Sequence, residues 1–285
     1  MRHTIKVAFV ALFVFGLALG NFSSTGVKAA GMEKMTETDK RAKDPRNKNY
    51  RVGDKASGYV YMTSQTRDMQ DDDFSNPAFT WVDLGESLWK KVQGSAGKSC
   101  FSCHNSASFS MKGAANNFPR YDSNRKRLIS LQHKINDELT KKMGAKKWKW
   151  ESTNMLGMAA YIKLQSRGKP VTVQIGGKAK PFFEKGKKFF NQRRGLLDMA
   201  CKHCHVDNAG NMARSNVLSE AQVNGFPTYR FKWQKPGSLH RRFIGCNKNI
   251  RAKPYKRGSE EYTNLELYMA WRSSGLKWET PAVRN

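Results

Sequence analysis

The sequence predicts a mainly α protein made of two similar units in tandem. Three observations predict it. The pentapeptide Cys-x-x-Cys-His occurs twice, at 100–104 and 201–205. A short amphipathic helical pattern precedes each copy, and a second helical pattern, with Met, Leu, Tyr or Trp on one face and a closing glycine, follows each after a long loop. Strand-like alternation is confined to Val171-Thr172-Val173-Gln174-Ile175, which predicts a short strand pair near a linker between the units.

The chain begins with a targeting pattern. Arg2, His3 and Lys6 precede an apolar run over 7–19 broken only by Gly16, and Val27-Lys28-Ala29 offers a small-residue cleavage site. This is the layout of a secretory signal over 1–30, with an apolar run too short for a permanent membrane span. The mature chain is then expected outside the cytoplasm. Its 285 residues carry 51 Lys+Arg against 23 Asp+Glu, a formal charge of +28. Losing 1–30 removes Arg2, Lys6 and Lys28 but no acid, so 48 basic residues face 23 acidic ones. With 39% aliphatic and aromatic residues, a disordered chain is excluded.

The first helix is expected at 83–92 (Asp83-Leu84-Gly85-Glu86-Ser87-Leu88-Trp89-Lys90-Lys91-Val92) and its counterpart at 181–190 (Pro181-Phe182-Phe183-Glu184-Lys185-Gly186-Lys187-Lys188-Phe189-Phe190). Each has an early acid, a glycine near one face and aromatics at helical spacing. The pentapeptides come next. All five cysteines survive in the exported chain, where disulfides would be the ordinary expectation. Their spacing argues otherwise. Cys100 and Cys103, and again Cys201 and Cys204, stand one helical turn apart, each pair followed by histidine, His104 and His205. Such thiols add to the two vinyl groups of haem while the histidine binds the iron. At this composition one chance occurrence is expected roughly twice in a thousand sequences, so two are not coincidence. A zinc site using both Cys-x-x-Cys pairs leaves the histidines unexplained, and a redox dithiol requires no trailing histidine. Two covalent haem c groups are predicted, one in each cytochrome c-like unit.

The closing helices are expected at 158–168 and 265–275, with Gly168 and Gly275 as C-terminal caps. Helix, haem motif, long loop and end helix thus recur, which reads as an internal duplication. Gly168, Pro170, Gly176, Gly177 and Pro181 mark the linker. The expected organisation is a signal over 1–30, a first domain over 31–170 and a second over 171–285.

Four cysteines serve as haem anchors and one is left, Cys246. Gly245 removes a side chain beside it, and Arg241, Arg242, Lys248 and Arg251 surround it with positive charge, which favours the thiolate. It lies between the second haem motif and the end helix, where a c-type cytochrome draws its sixth iron ligand. A buried free cysteine acting as a small hydrophobe is the alternative.

With these residues in view, the sequence resembles the SoxA family, the haem-carrying subunits of the SoxAX cytochromes that begin thiosulfate oxidation in the bacterial periplasm. The resemblance spans about 59–284. It is carried by Cys100 to His104, Leu164-Gln165-Ser166-Arg167-Gly168, Asn224-Gly225-Phe226-Pro227-Thr228-Tyr229-Arg230, Gly237 to Cys246, and Leu265-Glu266-Leu267-Tyr268-Met269-Ala270-Trp271-Arg272. It implies that Cys246 is both axial ligand of the second haem and catalytic residue, often as a persulfide, and that Arg242 receives the anionic substrate. It further implies a SoxX cytochrome partner, conjugation of thiosulfate to a cysteine on the SoxY carrier of SoxYZ, and L-cysteine S-thiosulfotransferase activity. A guanidinium fork suits a small dianion, and a thiolate ligand donates density to the iron.

One position departs from the family. Two-haem members bind the first haem through a second cysteine in an Ile-Asn-x-Cys stretch, whereas Ile135-Asn136-Asp137-Glu138 has Glu138 there. Met143 or His133 then becomes the expected distal ligand of the first haem, with an open position as the alternative; Met155 and Met158 lie further along. Without a thiolate, that haem is expected at the higher potential.

Other functional classes are a dihaem electron carrier without covalent catalysis, a dihaem peroxidase with an open iron position, and a nucleic-acid binder suggested by charge alone. The last has no recognition motif and conflicts with export and haem. The excess charge is expected to steer thiosulfate and acidic partners.

Overall fold

The computed structural model describes residues 44–285, so the targeting segment 1–30 lies outside the described residues. The chain is mainly helical. Two-residue strands β1 (Arg51–Val52) and β2 (Lys55–Ala56) pair ahead of α1 (Ser64–Asp71). Then come α2 (Phe79–Lys90), the motif helix α3 (Cys100–His104) and the short α4 (Ala107–Ser110). A hairpin, β3 (Arg120–Asp122) and β4 (Arg127–Ile129), leads into α5 (Leu131–Lys141) and α6 (Thr153–Leu164). The second half runs α7 (Lys180–Asn191), motif helix α8 (Cys201–His205) and the hairpin β5 (Met212–Ala213) and β6 (Asn216–Val217). Strands β7 (Thr228–Arg230) and β8 (Lys235–Gly237) follow, then α9 (Leu239–Asn249), α10 (Glu260–Arg272) and β9 (Ala282–Arg284). Among the described residues no helix is long and apolar enough to cross a membrane.

The four helices expected from periodicity are present, and each pair crosses at a glycine. In the first half α2 packs on α6, and a Cβ added to Gly85 would stand 2.3 Å from the Gly157 carbonyl oxygen and 2.6 Å from Tyr161 Cβ. In the second, α7 packs on α10, and a Cβ on Gly186 would meet the Asn264 carbonyl oxygen at 2.1 Å and Tyr268 Cβ at 3.0 Å. One turn beyond each glycine an aromatic ring meets the same tyrosine: Trp89 with Tyr161 at 6.0 Å, and Phe190 with Tyr268 at 5.4 Å between centroids. Leu88, Trp89, Met155, Met158 and Ile162 fill the first core; Phe183, Phe190, Leu265 and Met269 belong to the second. Each such side chain contributes roughly 1.5–3 kcal/mol when fully buried.

The approach to each motif is also alike. Gln93 bridges Lys98, and Arg194 bridges Met199, around turns that open on Gly94 (φ 68°) and Gly195 (φ 70°). Gly94 lies against the Met143 carbonyl and Gly195 against the Ile250 carbonyl, so each turn is clamped by the chain leaving α5 or α9. A side chain at either position would both strain the left-handed backbone and strike that carbonyl. Gly168 (φ 80°) and Gly275 (φ 89°) do follow α6 and α10, but some residues past the helix ends at Leu164 and Arg272, because a further turn of chain intervenes.

The expected strand pair at 171–175 is not formed. That stretch runs beside 275–278, with the Val171 N–H donating to the Leu276 carbonyl at 2.8 Å and the Gly275 N–H to the Val171 carbonyl at 3.0 Å, but only the isolated bridge Pro170–Lys277 results. Its alternate residues Val171, Val173 and Ile175 point into cores instead of across a ladder. The larger sheet lies elsewhere, in the order β8-β7-β9, with β7 antiparallel to β8 and parallel to β9. Ala78 and Trp81 pack on Tyr229 and Val283 of this sheet, and Leu128 of β4 enters the core around α7 and α10. Ser130 Oγ donates to Glu266 Oε2 at 2.6 Å, joining the start of α5 to the middle of α10.

Candidate active site and haem cavities

Each motif helix begins with a cap. Ser99 accepts from the Ser102 N–H at 3.1 Å ahead of Cys100, and His203 Nδ1 accepts from the Ala200 N–H at 3.1 Å ahead of Cys201. A ring nitrogen of His203 is therefore spent on the cap, which separates it from the motif histidine His205. His205 Nδ1 lies 2.6 Å from the Ser219 carbonyl oxygen. Since a carbonyl only accepts, Nδ1 carries the proton and Nε2 keeps its lone pair for a metal.

Cys201, Cys204 and His205 line a deep cavity together with Arg230, Arg242 and Cys246. Its other walls include Phe190, Leu265 and Met269. Two anchoring thiols, an imidazole of fixed tautomer, apolar walls and an opposing thiol are the donor set and shape that a covalent haem requires, so the residues fit the group.

Cys246 is placed by α9, whose N-cap Ser238 accepts from the Arg241 N–H at 3.1 Å. Arg242 precedes it by one turn on the same face. Burial alone would push the Cys246 thiol up; the Arg242 charge, with Arg230 behind it, works against burial and holds the thiol below its ordinary value. The thiol thus faces the motif histidine within a basic wall that favours thiolate. A Cβ added to Gly245 would meet nothing within 4 Å, so the space beside Cys246 is open.

Arg230 was given no individual role by the sequence pattern, although it ends the stretch Asn224 to Arg230. Strand β7 aims it at the cavity, and its Nε donates to the Asn285 carbonyl at 2.7 Å. Burial, then the neighbouring Arg242 charge, lowers its pKa to about 10. Like charges around a buried arginine favour the presence of an anion beside it.

The first cavity is lined by Cys100, His104, Lys134, Glu138, Met143 and Met158, with Trp89 and Leu139 among its apolar walls. Cys103 is exposed and stands off this wall, while Cys100 is partly buried. Burial, with the Glu138 charge next, pushes the Cys100 thiol up to about 11. Cys100, His104 and the apolar walls again fit a covalent haem, with Cys103 one helical turn on from Cys100.

His133 is corrected as a distal ligand. It does not reach the first cavity: its Nδ1 accepts from the Ser130 N–H at 3.1 Å, and its Nε2 lies 3.2 Å from the Gly258 carbonyl oxygen. Its ring stands edge-on to Trp150, centroids 4.9 Å apart. Helical spacing turned this side chain toward the junction with α9 and not toward the haem side. Met155 is fully buried in the first core away from the cavity wall; Met143 and Met158 remain on it.

A mainly helical fold with Cys-x-x-Cys-His cavities of this kind defines a c-type cytochrome with covalently bound haem. Residues 84–171 match the family described as SoxA/TsdA, cytochrome c domain. The L-cysteine S-thiosulfotransferase subunit SoxA of Paracoccus pantotrophus is 43% identical over 229 residues, covering 80% of this chain and 79% of that protein. The subunit of the same name from Rhodovulum sulfidophilum is 35% identical over 271 residues, covering 93% of this chain and 94% of its own. The crystal structure of SoxXA from P. pantotrophus superimposes with a TM-score of 0.78 at 43% identity, over 81% of this chain and 87% of that one. The chain belongs to the SoxA family.

Proposed function

We propose that this chain is the catalytic, haem-carrying subunit of an L-cysteine S-thiosulfotransferase, with Cys246 as catalytic residue and Arg242 as substrate-binding residue. The observation that carries this reading is the placement of Cys246 beside Arg242 and Arg230 and opposite His205. Thiosulfate is a small dianion, and two guanidinium groups offer it charge-assisted hydrogen bonds next to a thiol. In the overall reaction the carrier cysteine loses its proton, a sulfur–sulfur bond forms to the sulfane sulfur of thiosulfate, and two electrons leave. The haems, when bound, would take up these two electrons one at a time. Arg242 and Arg230 hold the substrate's charge, Cys246 presents sulfur, and His205 fixes the proximal side.

Each motif is assigned its own haem c. Cys100 and Cys103 anchor the first, with His104 on its iron; Cys201 and Cys204 anchor the second, with His205 and Cys246 as its iron ligands. The matching glycine crossings at Gly85 and Gly186 and the matching turns at Gly94 and Gly195 support an internal duplication. Domains over 31–170 and 171–285, with loops wrapping each haem, follow from it. The likeness to one chain of SoxXA supports a SoxX-type cytochrome partner. A SoxYZ-type carrier fits as acceptor, and export through the 1–30 signal would put the protein in the periplasm.

The test is conjugation of thiosulfate to a carrier thiol by the haem-loaded protein with its cytochrome partner, followed by mass spectrometry. Wild type should form the conjugate, and Cys246→Ala should lose it while still accepting electrons from a reductant. Conjugation that survives in Cys246→Ala would reduce the protein to an electron carrier.

A further inference from the structure

Helices α5 and α9 place Glu138 and Cys246 in the same register. Each helix is N-capped by serine, Ser130 or Ser238, and begins with leucine, Leu131 or Leu239. At their far ends, the Glu138 carbonyl accepts from the Met143 N–H at 3.2 Å, and the Cys246 carbonyl from the Ile250 N–H at 3.3 Å. One residue on, the Leu139 carbonyl takes the Ala145 N–H at 2.8 Å and the Asn247 carbonyl the Ala252 N–H at 2.9 Å. Those alanines lie against the left-handed Gly94 and Gly195 that precede the two motifs. The match extends one turn back, where Lys134 stands for Arg242. Lys134 and Glu138 line the first cavity as Arg242 and Cys246 line the second.

We propose that Glu138 is the distal iron ligand of the first haem, giving this chain one His/carboxylate and one His/thiolate haem. The inference rests on the assignment of a haem to each motif and of Cys246 to the second iron. Lys134 Nζ pairs with Glu138 Oε1 at 2.5 Å, which fixes the carboxylate and leaves Oε2 as the donor. Met143 competes only by being on the wall. At the glycine turn its place is taken by Ile250, which has no donor atom, although the chain from Glu138 is one residue longer there, and Met143 is packed in the core with Ile135 and Leu139. A carboxylate oxygen is a hard donor suited to ferric iron, whereas thiolate and thioether sulfur are soft. On oxidised haem the histidine–carboxylate pair is expected to give a high-spin iron and the histidine–thiolate pair a low-spin one.

Low-temperature EPR and near-infrared spectra of the ferric, haem-loaded protein test this. Wild type should show a high-spin species beside a low-spin thiolate species. Glu138→Gln should alter the high-spin species alone, and Met143→Leu should leave both unchanged. Glu138→Cys should convert the first haem, removing the high-spin species and raising the low-spin thiolate signal about two-fold. A methionine-to-iron band that disappears in Met143→Leu would overturn the proposal, as would a first-haem spectrum unchanged in Glu138→Gln. One haem per chain, measured as the pyridine complex, would overturn the two-haem assignment and this ligand with it; two haems with an indifferent Glu138→Gln would overturn the ligand alone.

Discussion

Arg242 lies one helical turn before Cys246 on α9, and both side chains face the same cavity. Burial would raise the Cys246 thiol, and Arg242 is the foremost of the charges that overcome it. One arginine thus does two things: it keeps the sulfur anionic and offers a fork to an incoming anion.

Arg242→Ala should lower kcat/KM for thiosulfate by about 10- to 150-fold, the equivalent of losing one charge-assisted hydrogen bond of roughly 1.5–3 kcal/mol. Arg242→Lys keeps the charge but not the planar fork, so its loss should fall in between. Steady-state kinetics at fixed carrier concentration decide this, and equal values for wild type and Arg242→Ala would remove Arg242 from the substrate site.

The α7–α10 crossing should not tolerate a methyl group. Gly186→Ala would put Cβ 2.1 Å from the Asn264 carbonyl oxygen, and the backbone on both sides must move apart. The expected cost is about 1–3 kcal/mol, read as a lowered Tm of the haem-loaded protein. Gly176→Ala is the control: its φ is −88° and an added Cβ meets nothing within 4 Å, so its Tm should match wild type.

Glu266 holds the two halves together from inside. Its Oε2 accepts from Ser130 Oγ at 2.6 Å and lies 3.1 Å from His240 Nε2. His240 Nδ1 accepts from the Gly258 N–H at 2.9 Å, so the His240 proton is on Nε2 and is donated to Glu266. Burial would push Glu266 up, but His240, the Lys163 charge and the Ser130 hydroxyl outweigh it and hold its carboxyl below the usual range. Glu266→Ala should cost about 1–3 kcal/mol for each of the two buried donors, Ser130 Oγ and His240 Nε2, that it leaves without an acceptor. Denaturant unfolding followed by tryptophan fluorescence would measure it.

His133 gives the fold an acid sensitivity. Burial, followed by the Arg127 charge, lowers its pKa to about 4. Its Nδ1 accepts the Ser130 N–H, a role that protonation would abolish. Between pH 6.5 and 4 the unfolded chain binds the proton and the folded one does not, so this stabilisation is complete above 6.5 and lost as pH falls toward 4. The expected loss is at most about 3 kcal/mol. Unfolding midpoints at pH 7.5 and 4.5 should differ less in His133→Gln than in wild type, and an identical difference would refute the assignment.

The sequence by itself determined the haem motifs, the four main helices, the unpaired Cys246 and its neighbour Arg242, because these depend on local spacing and composition. Cys-x-x-Cys-His is contained in one helical turn, and the apolar periodicity of α2, α6, α7 and α10 is readable within each segment. Tertiary structure alone decided which candidate side chains reach a cavity. His133 and Glu138 lie on the same helix, yet one is spent on Ser130 and Gly258 while the other faces Cys100. Arg230 joined the site only because β7, between β8 and the C-terminal β9, turns it toward Arg242. The 171–175 stretch has the residues of a strand but lacks a ladder partner, since its side chains bury in two cores. Local pattern fixes what an element is; the direction in which a side chain points depends on how distant elements pack against it.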